Sequence, residues 1–306
     1  MNLKTPIKSV ILIVTILSGC EGTIEKEPFS NTISEPQLLG PNIISSSTFH
    51  ESVNFYDSNK RIIYFTRSDT KFKTSTLYSS KHENGTIWSK PEMLSFSGEH
   101  YDAGFSLFSK KETAYFTSKR DPVKKGLSKE WNIWKVNKNK GKWTKPEVLA
   151  HPINSDSSEC CFIANEKGQA FFSSNRDGSW DIYQVEISNN NFNGLKKLDA
   201  KINSNNGEWP GFINNQGNIL IFSSIRKSGV GGDDLYISQK IGETWSKPTL
   251  LNTIINSANY EDSPLITQDG NFLLFSSWKK TEFSNGVSNI YYFSFNEDLE
   301  KIIEQK

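Results

Sequence analysis

The sequence predicts an all-β fold, a five-bladed propeller whose last blade is completed by a strand from the N-terminal side. Three observations carry this expectation. A unit of short apolar runs recurs at intervals of 51, 57, 49 and 53 residues, the size of a four-stranded blade. Five copies run from Glu51 to about Asp298. The fifth copy lacks its fourth run, and a matching segment stands ahead of the first.

The unit is clearest from Ile153 to Glu186. An Asx- and Ser-rich connection leads to Glu159 and the run Cys160 to Ala164. The polar turn Asn165-Glu166-Lys167-Gly168 precedes Ala170-Phe171-Phe172, which ends in Ser173-Ser174-Asn175-Arg176. An Asp-Gly loop then opens Asp181-Ile182-Tyr183-Gln184-Val185. Aromatic and β-branched runs of this length, bounded by turn residues, form antiparallel strands.

The other copies keep this grammar. Glu51 precedes Phe65, Asp102 precedes Phe116, Glu208 precedes Phe222 and Glu261 precedes Phe275, each by fourteen positions. Glu159 precedes Phe172 by thirteen, a difference that a turn absorbs. A hydroxyl follows each Phe (Thr66, Thr117, Ser173, Ser223, Ser276). A base stands close behind, at Arg67, Arg120, Arg176, Arg226 and Lys279. Third strands open with Leu77-Tyr78, Ile133-Trp134, Ile182-Tyr183, Leu235-Tyr236 and Ile290-Tyr291. Fourth segments read Trp88-Ser89-Lys90-Pro91, Trp143-Thr144-Lys145-Pro146 and Trp245-Ser246-Lys247-Pro248, with Leu195 to Leu198 in the third copy. Their Pro suits an edge strand, where no ladder donor is needed. Ile-Asn-Ser returns at 153–155, 202–204 and 255–257. Glu35-Pro36-Gln37-Leu38-Leu39 repeats the Pro-x-x-Leu of the fourth segment and is expected to close the ring. An open solenoid would instead need capped ends.

The chain is expected to divide into residues 1–19, 20–34 and 35–300. Lys4 and Lys8 precede Val10 to Leu17, a run of signal-peptide length that is too short to span a bilayer. Leu17-Ser18-Gly19-Cys20 follows and reads as a lipobox, with cleavage before Cys20 and acylation of its thiol. Acyl chains there would hold the protein at a membrane. Residues 21–34 are mostly polar and read as a flexible tether. With 35 basic and 34 acidic residues, the chain has no charge for nucleic acid. Cys160 and Cys161 are neighbours on one strand, expected on opposite faces as small apolar residues, with a vicinal disulfide as the strained alternative.

The sequence of acid, strand, Gly turn, strand, Ser-x-Arg and Asp-Ile-Tyr resembles the WD-like propeller repeats of bacterial envelope proteins of the TolB type. Trp-Ser-Lys-Pro with Ile-Asn-Ser and Gly229 to Tyr236 is similar to copies that accompany OmpA-like domains. The resemblance covers nearly all of residues 35–300 and implies fold and an envelope location, on the periplasmic side of the outer membrane or at the cell surface. It assigns no ligand.

Strand order places the starts of the first strands, the loops between second and third strands, and the blade connections at one end of the disc. The long loops Ser68–Ser75, Lys119–Trp131, Arg226–Asp233 and Lys279–Ser288 fall there, and long loops on a rigid scaffold are where binding resides. Glu51, Asp102, Glu159, Glu208 and Glu261 are expected around the central opening of that face, either to hold a cation or to pair with the repeat's bases, Arg176 and Arg226 among them. Trp131 and Trp180 occupy equivalent places before third strands, Trp209 follows Glu208, and Trp278 precedes Lys279. Such rings beside charged groups suit a glycan or peptide, or else cover blade edges. His50, His100 and His151 differ in repeat position, so no shared metal is expected, and no cofactor is. Gly231-Gly232-Asp233-Asp234 reads as a turn before it reads as a calcium loop.

A glycoside hydrolase needs two carboxyl groups in unlike surroundings, whereas these acids repeat once per blade. Neither a Gly-x-Ser-x-Gly elbow nor a His-Glu-x-x-His motif occurs. The expected function is therefore a monomeric, lipid-anchored binding or scaffold module for an envelope protein, peptide or glycan, with the hydrolase as the alternative.

Overall fold

The computed structural model describes residues 28–294, apart from residues 31–32, 84–86, 109–111, 124–125 and 190. The proposed signal peptide and Cys20 lie outside the described residues. All regular structure among those described is strand, arranged in five antiparallel sheets. Blade one comprises His50–Asp57, Ile62–Ser68, Ser75–Glu83 and a broken outer strand, Ile87–Trp88 with Glu92–Met93. Blade two follows with Asp102–Phe108, Thr113–Ser118, Asn132–Asn139 and Lys142–Trp143 with Glu147–Val148. Blade three has Glu159–Ala164, Gln169–Ser174, Asp181–Ser188 and an unbroken Asn191–Lys197. Blade four has Glu208–Ile213, Ile219–Ser224, Asp234–Ile241 and Thr244–Trp245 with Thr249–Leu250.

Blade five closes the ring as the repeat requires. Glu261–Ile266, Phe272–Ser277 and Asn289–Ser294 take Gln37–Leu38 as their fourth strand, with Gln37 opposite Tyr292 and Leu38 opposite Tyr291. Leu39 extends the seam, its N–H donating to Ile290 O at 2.8 Å. Each innermost strand touches those of both adjacent blades, blade five included with blade one. The protein is a five-bladed β-propeller.

The core sits in the seams rather than at a single centre. Five apolar clusters each join neighbouring blades, as where Tyr64 and Leu77 of blade one meet Phe105 and Phe116 of blade two. The cluster between blades five and one contains Leu39, Ile44 and also Phe29. Phe29 belongs to the stretch read as tether, yet it packs against Tyr56, Phe272 and Tyr292 at 4.8–5.2 Å between ring centroids.

Two local features depart from the simple repeat. Pro91, Pro146 and Pro248 each fall in a break of the outer strand rather than within it. Proline offers no ladder donor. Beside it, Ser89, Thr144 and Ser246 accept instead from Lys81, Asn137 and Gln239 N–H at 3.0–3.1 Å. Blade three lacks that Pro and keeps its strand whole. Second, every innermost strand carries one extra residue against its partner, between Val53 and Phe55, Ala103 and Ser106, Cys160 and Ile163, Pro210 and Phe212, and Asp262 and Leu265. A bulge reverses which side chains face the channel below it.

A candidate binding pocket at the long-loop end of the channel

The repeated motif accounts for the wall of the channel. Ile153, Ile202 and Ile255 are buried plugs in the seams. The following Asn pins the preceding blade. Asn154 Oδ1 accepts from Ile133 N–H at 2.8 Å, and its Nδ2 donates to Ile133 O and Leu149 O at 2.8 Å each. Asn203 and Asn256 repeat this on Ile182 with Leu198, and on Leu235 with Leu251. The Ser that ends the motif reaches the acid of the next blade. In blade four, Glu208 accepts from Ser204 N–H at 2.9 Å, Ser204 Oγ at 2.5 Å, Ser224 Oγ at 3.0 Å and Arg226 Nη2 at 2.8 Å.

Blades one, two and three are built alike. Arg67 pairs with Glu51 at 2.9 Å, Arg120 with Asp102 at 2.8 Å and Arg176 with Glu159 at 3.2 Å. Each guanidinium also lies over the repeat's own aromatic rings, Arg226 over Phe222 and Tyr236 at 5.3 and 5.1 Å, and Arg176 over Phe172 and Tyr183 at 5.6 and 5.0 Å. All five acids are 0% exposed. They therefore stand inside the wall rather than around the opening, and Arg176 and Arg226 are engaged with them. Burial still pushes Glu51 up to about 7, against the opposing pull of Ser46 and Arg67. In blade five Lys279 replaces the Arg, and Glu261 is held by Ser257 N–H, Ser257 Oγ and Ser277 Oγ at 2.7–2.8 Å.

The residue after the acid has a different fate in four of the five blades. Ala103, Cys160, Trp209 and Asp262, in blades two to five, line a cavity of about 420 Å³ at the long-loop end of the channel. Trp131 and Trp180, held just before the third strands of blades two and three, complete its indole wall with Trp209. Lys119 Nζ lies 4.6 Å from the Trp131 ring centre, and Tyr101 meets that ring edge-on at 5.1 Å. Trp278 belongs elsewhere. It packs against His50, Phe72 and Tyr260 at 4.3–5.9 Å, in an aromatic group over the seam of blades five and one.

Asp233 and Asp262 also face the cavity. Among the described residues neither has an ion-pair partner, and Asp233 Oδ1 has no hydrogen-bond partner. Burial, followed by the charge of Asp262, pushes Asp233 up to about 7. Burial raises Asp262 to about 6. Neither residue is legible as a site in isolation, since Asp262 is known to face the channel only through its equivalence to Trp209 and Cys160. The Gly-rich loop is a turn, with Asp234 Oδ2 accepting from Val230 and Gly231 N–H at 3.0 and 3.1 Å.

The cysteine pair corrects the expectation of opposite faces. The bulge places Cys161 at φ 57°, and both thiols line the cavity with sulfurs 3.3 Å apart.

A second cavity, of about 520 Å³, opens at the short-turn end. Its floor includes Phe55, Phe212 and Leu265, and its rim is made of amides. Those amides are satisfied by one another. Asn165 Nδ2 donates to Gln169 Oε1 and Asn214 O, and Asn214 Nδ2 donates to Asn218 Oδ1, all at 2.8–3.0 Å. Although smaller, the long-loop cavity carries the indoles and two carboxylates that, among the described residues, have no basic partner.

No protein-family model and no curated protein matches the chain. Solved structures do. A protein of unknown function from Dyadobacter fermentans aligns at TM-score 0.51 and 14% identity, covering 85% of this chain and 97% of that one. An endo-arabinase from Bacteroides thetaiotaomicron aligns at TM-score 0.51 and 12% identity, over 83% and 96%. A putative TolB from Agrobacterium tumefaciens aligns at TM-score 0.45 and 12% identity, over 83% and 78%. At such identities the likeness is one of fold alone.

Proposed function

We propose that this protein is an envelope-located binding or scaffold propeller, lipid-anchored through Cys20, that takes a peptide or glycan segment of its partner into the long-loop cavity. The observation that carries this reading is the convergence of Trp131, Trp180 and Trp209 on one cavity with Asp233 and Asp262, two carboxylates without a basic partner among the described residues. Flat rings offer large contact area at low entropic cost, and carboxylates accept from hydroxyl or amine donors. The wall behind them is rigid, because the repeat's acids, bases and amides are spent on each other. Binding is therefore expected to proceed with little backbone movement.

The test is a binding screen of the purified protein against glycans and envelope extracts, repeated with Trp180→Ala and Trp209→Ala. A weakening of ten-fold or more in both variants, with unchanged folding, supports the reading. Unchanged capture by both variants refutes it.

The carboxyl pair also favours a second reading, glycoside hydrolysis, in which Asp233 and Asp262 take the place of the buried Glu208 and Glu261. Burial holds both carboxyls above their usual range, and the charge of Asp262 raises Asp233 further, as a pair that can keep a proton on one member requires. Turnover on an oligosaccharide panel that vanishes in Asp262→Asn would establish it. A panel without turnover by the wild type would dismiss it.

A further inference from the structure

We propose that Cys160 and Cys161 form a dithiol site in the pocket wall, which closes to a vicinal disulfide by exchange with a small disulfide. The geometry is specific to this blade. At the same two positions the other blades carry Ser52-Val53, Ala103-Gly104, Trp209-Pro210 and Asp262-Ser263, so the fold itself requires sulfur at neither. The left-handed backbone belongs to the bulge, since Gly104 and Ser263 share it at φ 61° and 53° with no thiol present. Two cysteines placed on that bulge have their sulfurs brought to 3.3 Å, inside a cavity reached from the long-loop face. On a regular strand they would point apart.

The pair divides the chemistry between its members. The hydrogen bond that Cys160 shares with Cys161, followed by burial, pushes the Cys160 thiol well above its ordinary value. Cys161 therefore opens the exchange. Its thiolate, having released a proton to solvent, attacks one sulfur of the small disulfide and expels a thiolate. Cys160 then loses its proton and attacks Sγ of Cys161, expelling the second thiolate. The two protein thiols give up two electrons, and the small disulfide becomes two thiols with the two released protons. A ring closed between adjacent residues is strained, which makes the bond labile to mild reductants. Closure replaces two S–H groups with one apolar S–S edge beside Trp180 and Trp209, and so changes what the cavity accepts.

The test is peptide mapping of the full-length protein after incubation with excess oxidised glutathione. The tryptic peptide Trp143–Lys167 holds both thiols and excludes Cys20. The expected product is this peptide lighter by two hydrogens, resistant to alkylation until dithiothreitol is added, with a reversible fall in indole fluorescence of the native protein. In Cys160→Ser the same treatment is expected to stop at a stable glutathione adduct on Cys161. Two freely alkylated thiols after treatment, or a wild-type peptide that retains glutathione, would overturn the proposal. A Cys160→Ser protein that takes no adduct at Cys161 would overturn the assigned order.

Discussion

Replacing Glu208 with Ala separates a structural from a recognition role for the repeated acids. The side chain is 0% exposed and accepts from a backbone N–H, two hydroxyls and the Arg226 guanidinium, itself only 13% exposed. Removing it leaves a guanidinium without its counter-charge and the Ser204 N–H without its acceptor. Breaking a buried pair from one side costs about 3–5 kcal/mol, and an orphaned buried donor costs roughly 1–3 kcal/mol. These penalties overlap, so the expected loss is about 4 kcal/mol, a large share of the ~5–15 kcal/mol that holds a typical domain folded. Urea unfolding followed by fluorescence reads this as a lowered midpoint at unchanged slope. Glu208→Gln retains one oxygen for the Ser204 and Ser224 hydroxyls, though not for the Ser204 N–H, and should lose less, while Glu243→Gln, at a side chain 95% exposed, should stay within ~0.5 kcal/mol. A Glu208→Ala protein that keeps its midpoint but loses its ligand would refute the reasoning.

Three further outcomes follow from the same geometry. Leu39→Ala, at the 1% exposed seam residue, should cost about 2–5 kcal/mol by urea unfolding, and a cost below ~1 kcal/mol would deny that the seam holds the ring. Gly211→Ala should be destabilised by roughly 1–3 kcal/mol, because a Cβ there meets Pro264 Cδ at 2.4 Å and Pro264 O at 2.6 Å; thermal melting reads the loss. Asp233, raised from 3.8 to about 7 by burial, binds its proton more tightly folded than unfolded. Its contribution to stability therefore falls as pH rises from about 4 towards 7. Asp233→Asn should accordingly stabilise the protein at pH 8 and leave it nearly unchanged at pH 4, in paired melts at the two pH values.

The blade count, the seam and the two ends of the disc are legible because each rests on spacing, and spacing survives folding. The thirteen-residue interval from Glu159 to Phe172 is absorbed in the turn at Asn165–Gly168, as the fixed positions of the other parts demand. Local reversals are harder to read. A single extra residue in the first strand turns Cys161 toward Cys160, and nothing in Cys-Cys itself announces a bulge. Gly104 at the equivalent position is a faint sign of the left-handed backbone. The carboxyl pair is hidden for another reason. Asp233 and Asp262 lie on a loop of blade four and a strand of blade five, and only the closed ring makes them neighbours of the three tryptophans. The acids illustrate the converse. Their regular spacing is conspicuous, and the structure spends it on holding blades together.

The measurement that bears most directly on the pocket is site-specific photocrosslinking in cells. A photoreactive residue at Val230, 44% exposed on the long-loop face, is compared with one at Gln216, exposed on the short turns. The account predicts a discrete crosslinked partner from Val230 that Trp209→Ala abolishes, and none from Gln216. Capture from Gln216 alone would contradict it.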